Sequence, residues 1–165
     1  MEIEIVNKSN NKLPYYTTKY SACMDVSAFT LNNKVIIFRH KEGDSIELYP
    51  KDGIVELKPF DRAIIGTGLY VNLPDDKQIK MHPRSGLSIK HGITFINAES
   101  IMDSDYTDQY MIGLINLSSK TFFIENGMRV GQLEVSDRNE IIWKQVDSFC
   151  TKKSRGGGLG HTGKF

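Results

Sequence analysis

The chain has very little cysteine. Cys23 and Cys150 are the only two in 165 residues, so a disulfide framework cannot be the basis of the fold. With nothing else pointing to secretion, both are read as reduced thiols of an intracellular protein. No apolar run approaches the roughly 18 residues of a membrane span. The N-terminal MEIEIVNK alternates charge with apolar residues, whereas a secretory leader carries a continuous apolar block. Neither sign of charge is in excess: 21 Lys and Arg against 20 Asp and Glu leave a formal net charge of +1. The basic surplus expected of a nucleic-acid binder is missing. His40, His82, His91 and His161 are scattered, no Cys/His spacing is that of a zinc site, and each histidine is read as structural or surface. No segment repeats at a fixed period.

What is present is a succession of short apolar stretches separated by turn residues. Period-two alternation or β-branched runs predict strands over 2–6, 21–28, 35–38, 46–49, 54–57, 62–71 (broken by glycine), 78–81, 93–96, 111–117, 121–124, 129–135 and 140–146. Glu125-Asn126-Gly127 predicts a tight turn. Only 86–91 has room for a helical turn or two. The pattern predicts an all-β sandwich or barrel over 1–150, with 32–53 as an extra hairpin. From Thr151 to Phe165 the composition turns basic and glycine-rich. That tail reads either as a disordered terminus or as a mobile phosphate lid built from glycine-freed amides and Lys152, Lys153, Arg155 and Lys164.

The chemistry concentrates in HPRSGLSIKHGITFINAESIMDSDYTDQY, residues 82–110. Arg84, Ser85 and Gly86 offer a guanidinium, a hydroxyl and backbone amides, which suit a phosphate. The alternative for the triplet is a plain turn capped by Ser85. Asp103 and Asp105 offer carboxylates; one can deprotonate a water, and both can equally be exposed turn aspartates. Asn97 ends an apolar strand before a turn, and a hairpin there can read uracil through fixed backbone N–H and C=O groups that mismatch cytosine. Tyr106 can pack beneath a deoxyribose and leave no room for a 2′-hydroxyl, or can be a core or interface tyrosine. Asp25 lies among the small residues of Ala22-Cys23-Met24-Asp25-Val26-Ser27-Ala28, a segment equally readable as an ordinary strand. Together these residues suggest a nucleotide hydrolase.

Five ordered segments carry a family resemblance: Ala22 to Ala28, Pro83 to Leu87, Asn97 to Tyr106, Gly127-Met128-Arg129-Val130-Gly131-Gln132-Leu133, and Arg155 to Gly163. In this order and spacing they resemble the trimeric dUTP pyrophosphatases (dUTPases) over nearly the whole chain, and more narrowly a viral member. The resemblance implies a β jelly roll in a homotrimer with active sites between subunits. It implies Mg²⁺-assisted cleavage of dUTP to dUMP and pyrophosphate at the α-phosphorus, in the cytoplasm (of the host, for a viral member). Asp103 would be the water-activating carboxylate, Asn97 a uracil reader and Tyr106 the deoxyribose platform. Arg84, Ser85, Gly86 and Gln132 would contact phosphate, with Arg155, Gly158, Leu159, Gly160 and His161 from the tail. Asp25 would act on the metal through water only. The chain departs from the family at Cys23, Ser100 and Asp108, which replace glycines, and at Leu159, which replaces the tail aromatic. A dCTP deaminase on the same fold and a non-catalytic nucleotide-binding module are the alternatives.

Overall fold

In a computed structural model, described for residues 1–41, 43 and 45–150, the apolar–polar alternation becomes thirteen short strands and one helix. They are β1 (Glu4–Asn7), β2 (Met24–Ser27), β3 (Val35–Phe38), β4 (Ser45–Leu48), β5 (Ile54–Leu57), β6 (Arg62–Gly66), β7 (Leu69–Asn72), β8 (Lys77–Pro83), α1 (Ser85–His91), β9 (Ile93–Phe95), β10 (Ser100–Met102), β11 (Met111–Asn116), β12 (Phe122–Glu125) and β13 (Arg129–Asp137). One sheet has the order β10-β8-β13-β2 and another the order β4-β3-β6-β11-β9. Two-stranded ribbons β1-β7 and β12-β5 flank them, and every pairing is antiparallel. The mostly-β architecture matches the expectation.

The core follows from strand periodicity. Val26, Ile79, Met81 and Leu133 of the four-stranded sheet are buried, as are Val35, Ile37, Ala63, Ile65, Ile93, Phe95, Ile112 and Leu114 of the five-stranded one. Each large side chain so buried contributes about 1.5–3 kcal/mol. A Cβ on Gly131 would stand 2.7 Å from the Phe95 ring, so the sheets touch there and any side chain would force them apart. The same alternation turns Asp25 and Ser27, Gln132 and Glu134, and Lys80 and His82 to the opposite, partly exposed face of the four-stranded sheet. That polar face positions the site.

Two expectations change. The run 62–71 is two strands: the chain breaks at Thr67-Gly68, and β7 leaves the five-stranded sheet to pair with β1. Residues 140–146 form no strand. Their alternation finds no partner strand among the described residues, and Ile141, Ile142 and Trp143 are exposed.

The expected 32–53 hairpin forms as β3-β4 and is held to the large sheet by β6. A buried ion pair braces it: Arg39 Nη1 donates to Asp61 Oδ2 at 2.6 Å, while the His40 and Lys58 amides donate to the same carboxylate. Burial alone would raise the Asp61 pKa, but the His40 amide, the Arg39 guanidinium and the Lys58 amide outweigh it and hold the carboxyl below its ordinary value of 3.8. A depressed folded pKa means stability that is complete above the ordinary value and is lost as pH falls through the lower one. Asp61→Ala is therefore expected to cost about 3 kcal/mol at neutral pH, because it takes the acceptor from two amides and leaves Arg39 only the carbonyl and the more distant carboxylate of Glu56. In denaturant unfolding, the gap between variant and wild type is expected to shrink below about pH 4; a gap constant with pH would remove the ion pair as its cause.

Candidate active site

The half expected to face phosphate forms where β8 runs out. Arg84 keeps an extended backbone (φ −88°, ψ 127°) and caps α1 without a side-chain bond, and Gly92, at φ 69°, ends the helix. Ser85 makes no capping bond, so its expected alternative role is not realised. The residue is exposed, and the first amides of a helix have no intrahelical partner. A Cβ on Gly86 would meet nothing within 4 Å, so packing does not require glycine there and the backbone is left bare to an approaching group.

Arg84 is held from two sides. Its Nε donates to Asp25 Oδ1 at 2.8 Å and its Nη1 to the Arg129 carbonyl at 3.0 Å. Arg129 Nη1 donates to Asp25 Oδ2, also at 2.8 Å. The pairing is set by a bulge in β13, where the register shifts between Arg129 and Gly131 and leaves Gln132 opposite Asp25. Two guanidinium groups around one carboxylate leave net positive charge, which attracts a phosphate. Gln132 donates Nε2–H to the Pro83 carbonyl at 3.0 Å and so fixes the start of the turn, keeping a second N–H for a ligand. A cavity of about 230 Å³ opens beside this cluster, lined by Asn11, Lys12, Tyr15, Asp25, Ser27 and Arg129 among others. Sequence reasoning misses Arg129 as a site residue, although it lies three positions from Gln132 in the same motif. Only the cross-strand register shows what it touches.

The half expected to face the base is the connection between β9 and β10, and it is not the expected hairpin: β9 pairs with β11 in the five-stranded sheet and β10 with β8 in the four-stranded one, so this link passes from one sheet to the other. Asn97 sits exposed in the connection, its Nδ2 donating to Ser100 Oγ at 3.2 Å. Past β10 the chain turns, with the Tyr106 amide donating to the Asp103 carbonyl at 3.2 Å. Asp103 and Asp105 both lie in this turn, not on one strand face. Tyr106 is 37% exposed and stacks on buried Tyr110, with ring centroids 5.9 Å apart, while its hydroxyl donates to the Gln109 carbonyl. The flat face of Tyr106 is thus backed by a fixed ring. Burial, then the Tyr106 charge, pushes the Tyr110 phenol up to about 12.

Within one chain the halves do not meet. Met102 pairs with Ile79 near the start of β8, whereas Arg84 follows its other end. Five residues of strand at about 3.3 Å each separate those levels by roughly 17 Å. The structure therefore gathers Asp25, Arg84, Ser85, Gly86 and Gln132 at one end and holds Asp103 and Tyr106 at the other. Arg155, Gly158, Leu159, Gly160 and His161 lie outside the described residues.

A magnesium ion suits the first half only as an outer contact. Both Asp25 oxygens accept from arginines, which leaves them able to take a hydrogen bond from a metal-bound water. No cluster of oxygen donors among the described residues would hold Mg²⁺ unaided. The donor set fits a cation that arrives on a polyphosphate.

Known proteins resemble this chain in sequence and in fold. The model of the dUTPase family matches residues 49–163. A deoxyuridine 5′-triphosphate nucleotidohydrolase of Finegoldia magna is 37% identical over 163 residues, covering 99% of both chains. One from Cytophaga hutchinsonii is 35% identical over 98% of this chain and 92% of its own. Among solved structures, a point mutant of the Staphylococcus bacteriophage 80alpha dUTPase with dUpNHpp superposes with a TM-score of 0.75 at 18% identity, covering 98% of each chain. A point mutant of the dUTPase from phage phi11 of S. aureus, described with a structural Mg(II) ion, gives 0.70 at 17% identity over 92% of this chain and 100% of that one. These two likenesses speak for the fold, and the near full-length identity to the bacterial enzymes speaks for descent: the chain belongs to the dUTPase family.

Proposed function

We propose that the protein hydrolyses dUTP to dUMP and pyrophosphate. The observation that carries this reading is the placement, on opposite ends of β8, of an arginine–serine–glycine turn clasped by Asp25 and of the carboxylate-bearing turn that follows β10. The backbone around Asn97 receives uracil, and the Tyr106 face packs against deoxyribose. Arg84, Ser85, Gly86 and Gln132 hold the phosphates. Asp103 takes a proton from a water whose oxygen bonds to the α-phosphorus. The bond from that phosphorus to the bridging oxygen breaks, and pyrophosphate leaves with the electron pair. Asp25 would hold a Mg²⁺ ion carried by the triphosphate through water, and the ion would lower the charge repulsion on the phosphate oxygens.

The same distance argues for assembly. The Asp103 turn and the Arg84 turn, some 17 Å apart in one copy, complete a site only against another copy, and such head-to-tail contacts make a ring when the rotation closes. A homotrimer, the assembly the family resemblance implies, gives three sites. The exposed apolar segment Ile141 to Trp143 supports it, since solvent is a poor environment for such a run. A cytoplasmic location is proposed from the two free thiols, Cys23 and Cys150. The viral source expected from the sequence has no support in the Finegoldia magna and Cytophaga hutchinsonii relatives, which are bacterial; the phage enzymes, at 17% and 18% identity, speak for the fold alone.

The deciding experiment measures pyrophosphate release from dUTP and the four standard deoxynucleoside triphosphates, with and without Mg²⁺. Release from dUTP alone, abolished by a chelator, is expected; ammonia from dCTP, or analogue binding with no turnover, would overturn the reading. Tyr106→Ala is expected to relax rejection of UTP, because it removes the surface against which a 2′-hydroxyl clashes. An unchanged ratio of kcat/KM for dUTP over UTP would place that discrimination elsewhere.

A further inference from the structure

Beside the phosphate turn, the outer face of the four-stranded sheet brings together three side chains that the hydrolysis does not use. Cys23 immediately precedes β2, His82 is on β8 and Glu134 on β13, the strand between them. Their ligand atoms all lie within 4.8 Å of one another, and no other such trio of His, Cys, Asp or Glu occurs among the described residues. His82 Nε2 is already 3.5 Å from Glu134 Oε1. That matches the spacing of about 3.5 Å between neighbouring ligands on a tetrahedral ion with bonds near 2.0–2.3 Å. The other imidazole nitrogen, Nδ1, faces Glu99 Oε1 at 3.8 Å, and Lys80 holds the second Glu99 oxygen at 3.4 Å. A carboxylate behind the ring nitrogen opposite the ligating one is the arrangement that orients metal-bound histidines. The His82 side chain is 27% exposed and that of Glu134 37%, leaving an entry path and an open fourth position.

We propose that Cys23, His82 and Glu134 form a binding site for a borderline-soft divalent cation of the Zn²⁺ type, separate from the Mg²⁺ carried by the nucleotide. A sulfur, an imidazole nitrogen and one carboxylate oxygen suit Zn²⁺ or Co²⁺ and are a poor set for Mg²⁺, which takes oxygen donors. Binding forms a metal–sulfur bond and releases the thiol proton to solvent. His82 ligates through Nε2, keeping its proton on Nδ1 toward Glu99. The ion ties β2, β13 and β8 together across three adjacent strands. Its ligands Cys23 and His82 stand two residues from Asp25 and from Arg84, so occupancy braces the sheet beneath the phosphate turn.

The test is a Co²⁺ titration of the metal-stripped, assembled full-length protein in excess Mg²⁺. We expect one equivalent per chain, a thiolate-to-cobalt charge-transfer band, and its loss when Zn²⁺ is added. Cys23→Ser is expected to abolish the band and Cys150→Ser to leave it. Glu134→Gln, which preserves shape, is expected to weaken Co²⁺ affinity by more than the roughly 10–100-fold typical of an outer partner, and Glu99→Gln by an amount within that range. Absence of the band in the wild type, or its survival in Cys23→Ser, overturns the site. Unchanged affinity in Glu134→Gln removes Glu134 as a ligand, and in Glu99→Gln removes the orienting carboxylate.

Discussion

Asp103→Asn is expected to lower kcat for dUTP at least ~100-fold while leaving the unfolding midpoint where it is. The loss in rate follows from chemistry. Asparagine keeps the shape and a hydrogen-bond acceptor but cannot take a proton from water, so the nucleophile must attack undissociated. The unchanged stability follows from position. Asp103 lies in the turn after β10 and is not buried, and only its carbonyl accepts a hydrogen bond among the described residues, so no buried group loses a partner. KM is expected to move much less than kcat, since the residue acts on the transition state more than on bound substrate. A variant with near-normal turnover would falsify the assignment. One that loses turnover together with stability would make Asp103 a folding residue.

Mixing two inactive variants is expected to restore activity. If Asp103 of one copy works with Arg84 of another, homotrimers of Asp103→Asn and of Arg84→Ala each lack a component at every site. Unfolding the two together in equal amounts and refolding them gives mixed assemblies. Random assortment then makes about one site in four intact, with the aspartate from one variant and the arginine from the other. Recovered activity near a quarter of wild type, against about 1% or less for either parent if each loses the ~100-fold of an essential group, is a large change that a site built within one chain cannot produce, because no chain in the mixture carries both residues. The roughly 17 Å spanned by β8 between the two groups is the reason to expect it. Recovery no greater than the sum of the parents would return the site to a single chain and with it remove the argument for a ring.

The strand pattern is readable wherever a residue's partner lies across a sheet that one chain completes. Ile79 and Met81 alternate with Lys80 and His82 because one face of β8 is buried and the other is not. The segment 140–146 carries a similar apolar pattern and remains unpaired among the described residues, because periodicity reports a tendency to pair but not whether a partner edge is within reach. Arg129 escapes a sequence reading for a related reason: its contact with Asp25 depends on a bulge, which shifts register without any mark in composition. The Arg84 turn is legible as a turn, yet the ties to Asp25, the Arg129 carbonyl and the Gln132-bound Pro83 carbonyl that fix its orientation are not.

By itself the sequence determined the class of the fold and membership of the dUTPase family. Each of these is written in local order: period-two alternation, turn residues, and motifs of consecutive amino acids. Tertiary structure alone decided that the Arg84 turn and the Asp103 turn lie at opposite ends of one strand. It also decided that Cys23, His82 and Glu134, far apart along the chain, meet on one sheet face. The physical reason is that cross-strand neighbours in an antiparallel sheet are set by register and strand order, and these depend on how the whole chain packs rather than on any spacing along it.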